Sequence, residues 1–215
     1  MTIGHGKFGP ALEQEGARAA TLPDLREQAS GCHRCDLYKA ATQLVFGEGA
    51  QGASVVLVGE QPGDREDIAG RPFVGPAGLL LNECLHEAGV DRSRCYVTNA
   101  VKHFKFQQRG KRRLHAKPNA DEIQRCAWWL AAELDLIHPR LVVALGGTAL
   151  YTLFGRSVSV TKARGQILQV PTGPPVLVTV HPSYLLRTQK RPDAEMVRHQ
   201  FVTDLHQIVQ FCTEA

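Results

Sequence analysis

Four short runs of consecutive apolar, mostly β-branched residues punctuate the chain: Val55-Val56-Leu57-Val58, Tyr96-Val97-Thr98, Leu141-Val142-Val143-Ala144-Leu145 and Val176-Leu177-Val178-Thr179. They lack the apolar/polar alternation of a half-exposed strand, so each reads as a strand covered on both faces, the habit of a parallel sheet between helical layers. The intervening stretches change to helical spacing. Thr21-Leu22-Pro23 opens a short helix that Gly31 ends. Pro76-Ala77 opens a second, with Ala77, Leu80, Leu81, Cys84, Leu85 and Ala88 on one stripe before Gly89. Asn119 and Glu122 form a capping-box pattern ahead of Ile123, Cys126, Trp129, Leu130, Leu134 and Ile137. Thr148, after Gly146-Gly147, reads as the cap of another helix. A last helix from about Asp193 aligns Val197, Phe201, Leu205, Ile208 and Cys212. Strands alternating with helices predict an α/β domain: three layers, α/β/α, around a central, mostly parallel four-stranded sheet. Residues 1–20 show no periodicity and read as a flexible lead-in, leaving 21–215 as a single domain.

In an open sheet of this kind ligands bind beyond the C-terminal strand ends. Three of the four strands deliver polar residues there: Gly59-Glu60-Gln61-Pro62-Gly63, Asn99, and His181-Pro182-Ser183. The stretch 101–120 adds a lopsided charge, with Lys102, Lys105, Arg109, Lys111, Arg112, Arg113 and Lys117 and no acidic residue. The whole chain carries only +4, so it is the clustering that points to a polyanion. Within that stretch Lys111-Arg112-Arg113 reads as a phosphate clamp on a loop that Gly110 frees to move, ending in Leu114-His115. No stretch approaches the roughly 18 consecutive apolar residues of a membrane span, and the first 20 residues lack a signal-peptide core. A cytoplasmic protein is therefore expected; the oligomeric state is not readable from the sequence, a monomer being favoured. In a reducing compartment its six cysteines argue for ligation or core packing over disulfides, and Cys32-His33-Arg34-Cys35 has ligand spacing. Cys84 and Cys95 read as core thiols, and Cys212 has no evident partner.

Gly59-Glu60-Gln61-Pro62-Gly63-Asp64, followed by Gly70-Arg71-Pro72-Phe73-Val74-Gly75-Pro76-Ala77-Gly78, resembles the first motif of the uracil-DNA glycosylase superfamily in its iron-sulfur branch. Thr98-Asn99 and His181-Pro182-Ser183 match further motifs in order and distance, so the resemblance covers roughly residues 30–205. Combined with Lys111-Arg112-Arg113-Leu114-His115, it looks like the UdgX type, whose members bind uracil-containing DNA covalently; Leu114 replaces the more usual isoleucine. The related family 4 enzymes hold a [4Fe-4S] cluster with four cysteines. Cys32, Cys35 and Cys126 match three of these, and His103 stands at the fourth position, after Asn-x-Val-Lys. Three cysteines plus His103 is the ligand set this implies. Zinc also accepts three sulfurs and one nitrogen, and only the resemblance favours iron.

The resemblance implies excision of uracil from DNA, single-stranded DNA above all, in DNA repair. A base must leave the stack to be cut from its sugar. Phe73 is expected to stack on uracil and Asn99 to pair with its polar edge, with Gly59, Asp64 and Ser183 completing the substrate site. Asp64 or Glu66 is also a candidate to discriminate against thymine. Negative charge grows on the departing base, and His181 is placed to donate to it. Gln61 stands where other members carry a water-handling aspartate, which weakens hydrolysis and turns attention to another nucleophile. An unperturbed imidazole titrates near about 6.5, so a histidine offers a neutral lone pair at cytoplasmic pH. His115 is the candidate, with Glu60 as its proton acceptor, and the expected product is a stable bond to C1′ of the abasic site. Two alternatives stand beside this reading. One is a multiple-turnover glycosylase in which Glu60 positions water and His115 touches phosphate; the other is a non-catalytic redox or DNA-binding module.

Overall fold

The computed structural model describes residues 19–170 and 173–213. The expected lead-in, apart from its last two residues, lies outside them. Four parallel strands, β1 (Val55–Gly59), β2 (Cys95–Asn99), β5 (Leu141–Leu145) and β7 (Val176–Thr179), form the sheet that the apolar runs predict. A fifth strand, β6 (Ile167–Leu168), adds antiparallel to β7, giving the order β2-β1-β5-β7-β6. Two residues are too short a run to register as a pattern, which is why the expected count was four.

Alternate residues of each strand face different helical layers. Val56, Val58, Val142, Ala144, Val176 and Val178 pack under α1 (Leu22–Ser30), α4 (Ala120–Ile137) and α5 (Gly147–Phe154). Val55, Leu57, Leu141, Val143, Leu145 and Leu177 pack under α3 (Pro76–Glu87), α7 (Pro182–Thr188) and α8 (Ala194–Thr213). Both helix-start patterns near the sheet edge are built as read. Thr21 accepts from the Asp24 amide, while Asn119 and Glu122 exchange bonds of 2.9 and 2.7 Å with each other's backbone. Thr148 differs: Gly146, at φ 93°, occupies the cap position, and Thr148 lies inside α5. None of the described helices is long and apolar enough to cross a membrane.

A fully enclosed ion pair ties the β2 edge to α4. Lys102 Nζ lies 2.6 Å from Glu133 Oε2, both side chains without exposure. The ammonium also donates to Thr98 Oγ1 and the Asn99 carbonyl, at 2.6 and 2.8 Å. Glu133 Oε1 accepts from Tyr96 and from the Gly47 amide. A buried pair is tolerable only when its remaining donors and acceptors are satisfied in this way. Its consequence for the site is that the backbone at Asn99 is fixed.

Candidate active site

The chain passes from β1 to its neighbour β2 on one side and later to β5 on the other, so the sheet opens a crevice beyond the C-terminal ends of these strands. A cleft of about 1010 Å³ lies there, lined among others by Glu60, Phe73, Asn99, His115, His181 and Arg187. Its floor converges on Gly59. A Cβ added at that residue would overlap the Asn99 amide oxygen, come 2.8 Å from the Phe73 ring and 3.5 Å from His181 Nε2. Three side chains from three separate segments therefore meet in the space that the missing side chain leaves. Among the described residues the Asn99 amide has no hydrogen-bond partner. Its donor and its acceptor are both left for a ligand.

Phe73 is held in an uncommon way. Its φ is +56°, a region that costs a bulky residue on the order of 1–3 kcal/mol and persists only where the surroundings impose it. Gly78 permits it: a side chain there would overlap the Phe73 carbonyl. Glu66, in the short helix α2 (Asp64–Ala69), joins the two arms of the motif by accepting from the Gly63 and Gly75 amides at 3.1 and 2.8 Å. Glu66 therefore serves the loop that aims Phe73.

His181 is a neutral donor by geometry. Its Nδ1 accepts the Ser183 amide at 3.2 Å and lies 2.8 Å from Ser183 Oγ, which in turn accepts from Arg187 at 3.0 Å. With Nδ1 accepting, the proton resides on Nε2, the nitrogen nearest Gly59 and the cleft floor. Enclosure by the pocket walls pushes the imidazole down to about 4, against a smaller upward pull from Glu60. Ser183, expected among the substrate contacts, is engaged in orienting His181.

The basic stretch folds as a β-hairpin where a free loop was expected. β3 (Phe106–Arg109) and β4 (Arg112–His115) pair antiparallel around Gly110-Lys111, with Gly110 at φ 59°. Opposed residues share a face, so Phe106, His115, Gln108 and Arg113 lie on one side and Gln107, Leu114, Arg109 and Arg112 on the other. Arg113 is thereby removed from the expected phosphate clamp. It lies 2.6 Å from Asp64 and 2.6 Å from Asp67, and over the rings of Phe104 and Phe106. Asp64, expected near the base, is its partner. Lys111 and Arg112 remain exposed, and so does Arg109, which the sequence reading counted in the basic stretch but not in the clamp.

Gln61 also departs from expectation. Its amide nitrogen donates to the Lys105 and Ala116 carbonyls at 3.0 and 3.2 Å, and its oxygen accepts from the Lys105 amide at 3.1 Å. These residues are the two feet of the hairpin. Both polar atoms of this side chain bond the hairpin, and Gln61 acts as a staple. The hairpin so held brings His115 Nε2 within 3.2 Å of Glu60 Oε1 at the cleft mouth, the imidazole half exposed. Burial pushes the Glu60 carboxyl up, but hydrogen bonds from His115 and Thr148, with the nearby His181, outweigh it and hold the group below its ordinary value.

The expected metal ligands lie on the far side of α4. Cys32 and Cys35 follow α1, and Cys126 projects from the second turn of α4. The three feel one another's charge. Trp129 Nε1 donates to Cys32 Sγ at 3.1 Å and the Lys102 amide to Cys126 Sγ at 3.1 Å, the environment that favours thiolate. As free thiols Cys35 and Cys126 resist ionisation, burial raising both and pushing Cys126 up to about 12. His103 is buried and lowered in pKa by that burial, with Asp67 and His33 as its charged neighbours. No group of three or more such side chains among the described residues is gathered tightly enough to hold a metal ion.

Comparison with known proteins decides the lineage. The sequence profile described as the uracil DNA glycosylase superfamily matches residues 46–205. The chain belongs to that superfamily. It is 42% identical over 173 residues to a type-4 uracil-DNA glycosylase of Thermotoga maritima, covering 80% of this chain and 86% of the relative. A type-4 uracil-DNA glycosylase of Archaeoglobus fulgidus is 31% identical over 199 residues, with 89% and 94% covered. A type-5 uracil-DNA glycosylase of Pyrobaculum aerophilum is 32% identical over 190 residues, with 79% and 78% covered. The convergence on Gly59 lies on the floor of the cleft, and His115 of the hairpin is part of its lining.

Proposed function

We propose that the protein excises uracil from DNA, preferentially single-stranded, and then captures the abasic sugar covalently through His115. The observation that carries this reading is the 3.2 Å approach of His115 Nε2 to Glu60 Oε1 at the mouth of a pocket whose floor presents an unpartnered amide, an aromatic ring and a neutral imidazole donor. Asn99 reads the polar edge of uracil and Phe73 stacks on it. As the bond between C1′ and the base breaks, its electron pair goes to uracil, and His181 Nε2–H stabilises the charge. The imidazole nitrogen not engaged by Glu60 donates its lone pair to C1′. The Nε2 proton then passes to Glu60, leaving a neutral N-glycosylated imidazole, a poor leaving group. Gln61, a neutral amide that holds the hairpin, supplies no base for water. Arg109, Lys111 and Arg112 contact phosphates.

A [4Fe-4S] cluster held by Cys32, Cys35 and Cys126, with His103 as fourth ligand, is the cofactor of this reading: two of the sulfurs accept N–H bonds from Trp129 and Lys102, as ligand sulfurs commonly do. Bound, such a group supplies a covalent cross-link between the end of α1, α4 and the segment after β2. Iron analysis and visible absorbance of the purified protein decide between iron and zinc.

A denaturing gel of the protein mixed with a uracil-containing oligonucleotide tests the reading. A protein–DNA band that survives denaturation and disappears in His115→Ala supports it. Multiple turnovers of free uracil without such a band instead support the second reading, a conventional glycosylase, which the 42% identity to a type-4 enzyme favours.

A further inference from the structure

Glu60 receives two donors, one on each oxygen. His115 Nε2 faces Oε1 at 3.2 Å, and Thr148 Oγ1 donates to Oε2. Thr148 is buried in the first turn of α5, where its place in the sequence marks it as a cap. Thr152, one turn on, returns its hydroxyl to the Thr148 carbonyl at 2.9 Å, but Thr148, the second residue of α5, has no helical turn before it. Thr148 instead crosses from α5 to the segment after β1. A carboxylate on a flexible side chain at a cleft mouth could present either oxygen, or turn to solvent; with Oε2 occupied from α5, only Oε1 is left for the hairpin.

We propose that Thr148 is a positioning residue of the covalent step, fixing the Glu60 carboxylate so that Oε1 meets His115 while Oε2 is held from behind. The inference rests on the reading of His115 as nucleophile. In that step the C1′–base bond breaks with its pair on uracil, the imidazole lone pair forms the N–C1′ bond, and the Nε2 proton moves to Oε1. A donor on Oε2 keeps the acceptor ionised until the proton arrives. The charged or titratable groups that act on Glu60 are His115 from β4 and His181 from the start of α7, and the Thr148 hydroxyl is the neutral third. Burial opposes all three. Replacing the hydroxyl by a methyl removes a hydrogen bond to a charged group and leaves shape nearly unchanged.

The test uses Thr148→Val and Thr148→Ser with a single-stranded uracil oligonucleotide under single-turnover conditions from acidic to neutral pH, following adduct and free uracil together. The valine variant is expected to form adduct roughly tenfold more slowly, as loss of a charge-assisted hydrogen bond implies. It should also release more uracil per adduct and have the acid limb of its rate profile displaced to higher pH. Serine, which keeps the hydroxyl, restores all three. A valine variant with the wild-type rate and profile overturns the assignment. If the wild-type protein itself forms no adduct, the reading of His115 fails, and Thr148 is judged by NMR titration of the Glu60 carboxyl. There a higher titration point in Thr148→Val supports the placement, and an unchanged one overturns it.

Discussion

Replacing Gln61 with leucine separates two roles that the sequence leaves entangled, handling water and holding the hairpin. Leucine fills a similar volume but cannot bond the Lys105 amide or the Lys105 and Ala116 carbonyls, contacts of 3.1, 3.0 and 3.2 Å. Each such bond contributes about 0.5–1.5 kcal/mol net, so the docked hairpin loses about 2–4 kcal/mol, and the undocked population rises roughly 30- to 1,000-fold. The Ala116-to-Lys105 backbone bond and the Arg113 ion pairs with Asp64 and Asp67 remain, so the change is confined to the attachment. Hydrogen exchange resolved by residue reads it directly. Amides of 105–116 should exchange faster by one to three orders of magnitude, with β1 and β5 unchanged, and adduct formation should fall in step with hairpin protection. Activity loss with fully preserved hairpin protection refutes the staple and returns Gln61 to the chemistry.

Three further outcomes follow from the geometry. Gly59→Ala puts a methyl group against Asn99 and Phe73, so uracil excision should be lost while the urea midpoint shifts little; retained excision would contradict the placement of the base. Lys102→Met should cost about 3–5 kcal/mol in urea unfolding, the cost of stranding a buried charge, because Glu133 loses the cation it pairs with; a change below 1 kcal/mol would show the pair to be dispensable. Stability should fall as pH drops from about 6.5 towards 4. His181 is lowered from 6.5 to about 4 and Glu60 is lowered as well, so the unfolded chain takes up these protons first and proton uptake favours it. A flat thermal-melting profile across that window would contradict the shifts.

The parallel sheet was legible because burial on both faces leaves a plain mark, uninterrupted runs such as Val55 to Val58. The capping box at Asn119 and Glu122 was legible because its bonds are local. The hairpin was not. Phe106–Arg109 and Arg112–His115 carry glutamine and arginine in place of an apolar alternation, and their pairing is held by Gln61 and by Asp64 and Asp67, residues distant in sequence. The same long-range pairing explains why Arg113 read as a phosphate contact. A charge run shows that cations are adjacent, but not which of them an acidic helix forty-odd residues earlier has taken. Asn99, His181 and Phe73 could be placed at strand ends or in motifs. Their convergence on Gly59, and the hydroxyl of Thr148 behind Glu60, depend on strand order and on the path of α5, which no local pattern carries.

The central claim is a covalent bond between His115 and the sugar. Protease digestion of the protein after reaction with a uracil oligonucleotide, followed by nuclease trimming and tandem mass spectrometry, tests it at the level of the atom. The account predicts the abasic deoxyribose on the peptide that contains His115, with fragment ions placing it on that imidazole, and no modified peptide from His115→Ala. Attachment to a lysine such as Lys111, or an unmodified His115 peptide alongside complete uracil release, would contradict it.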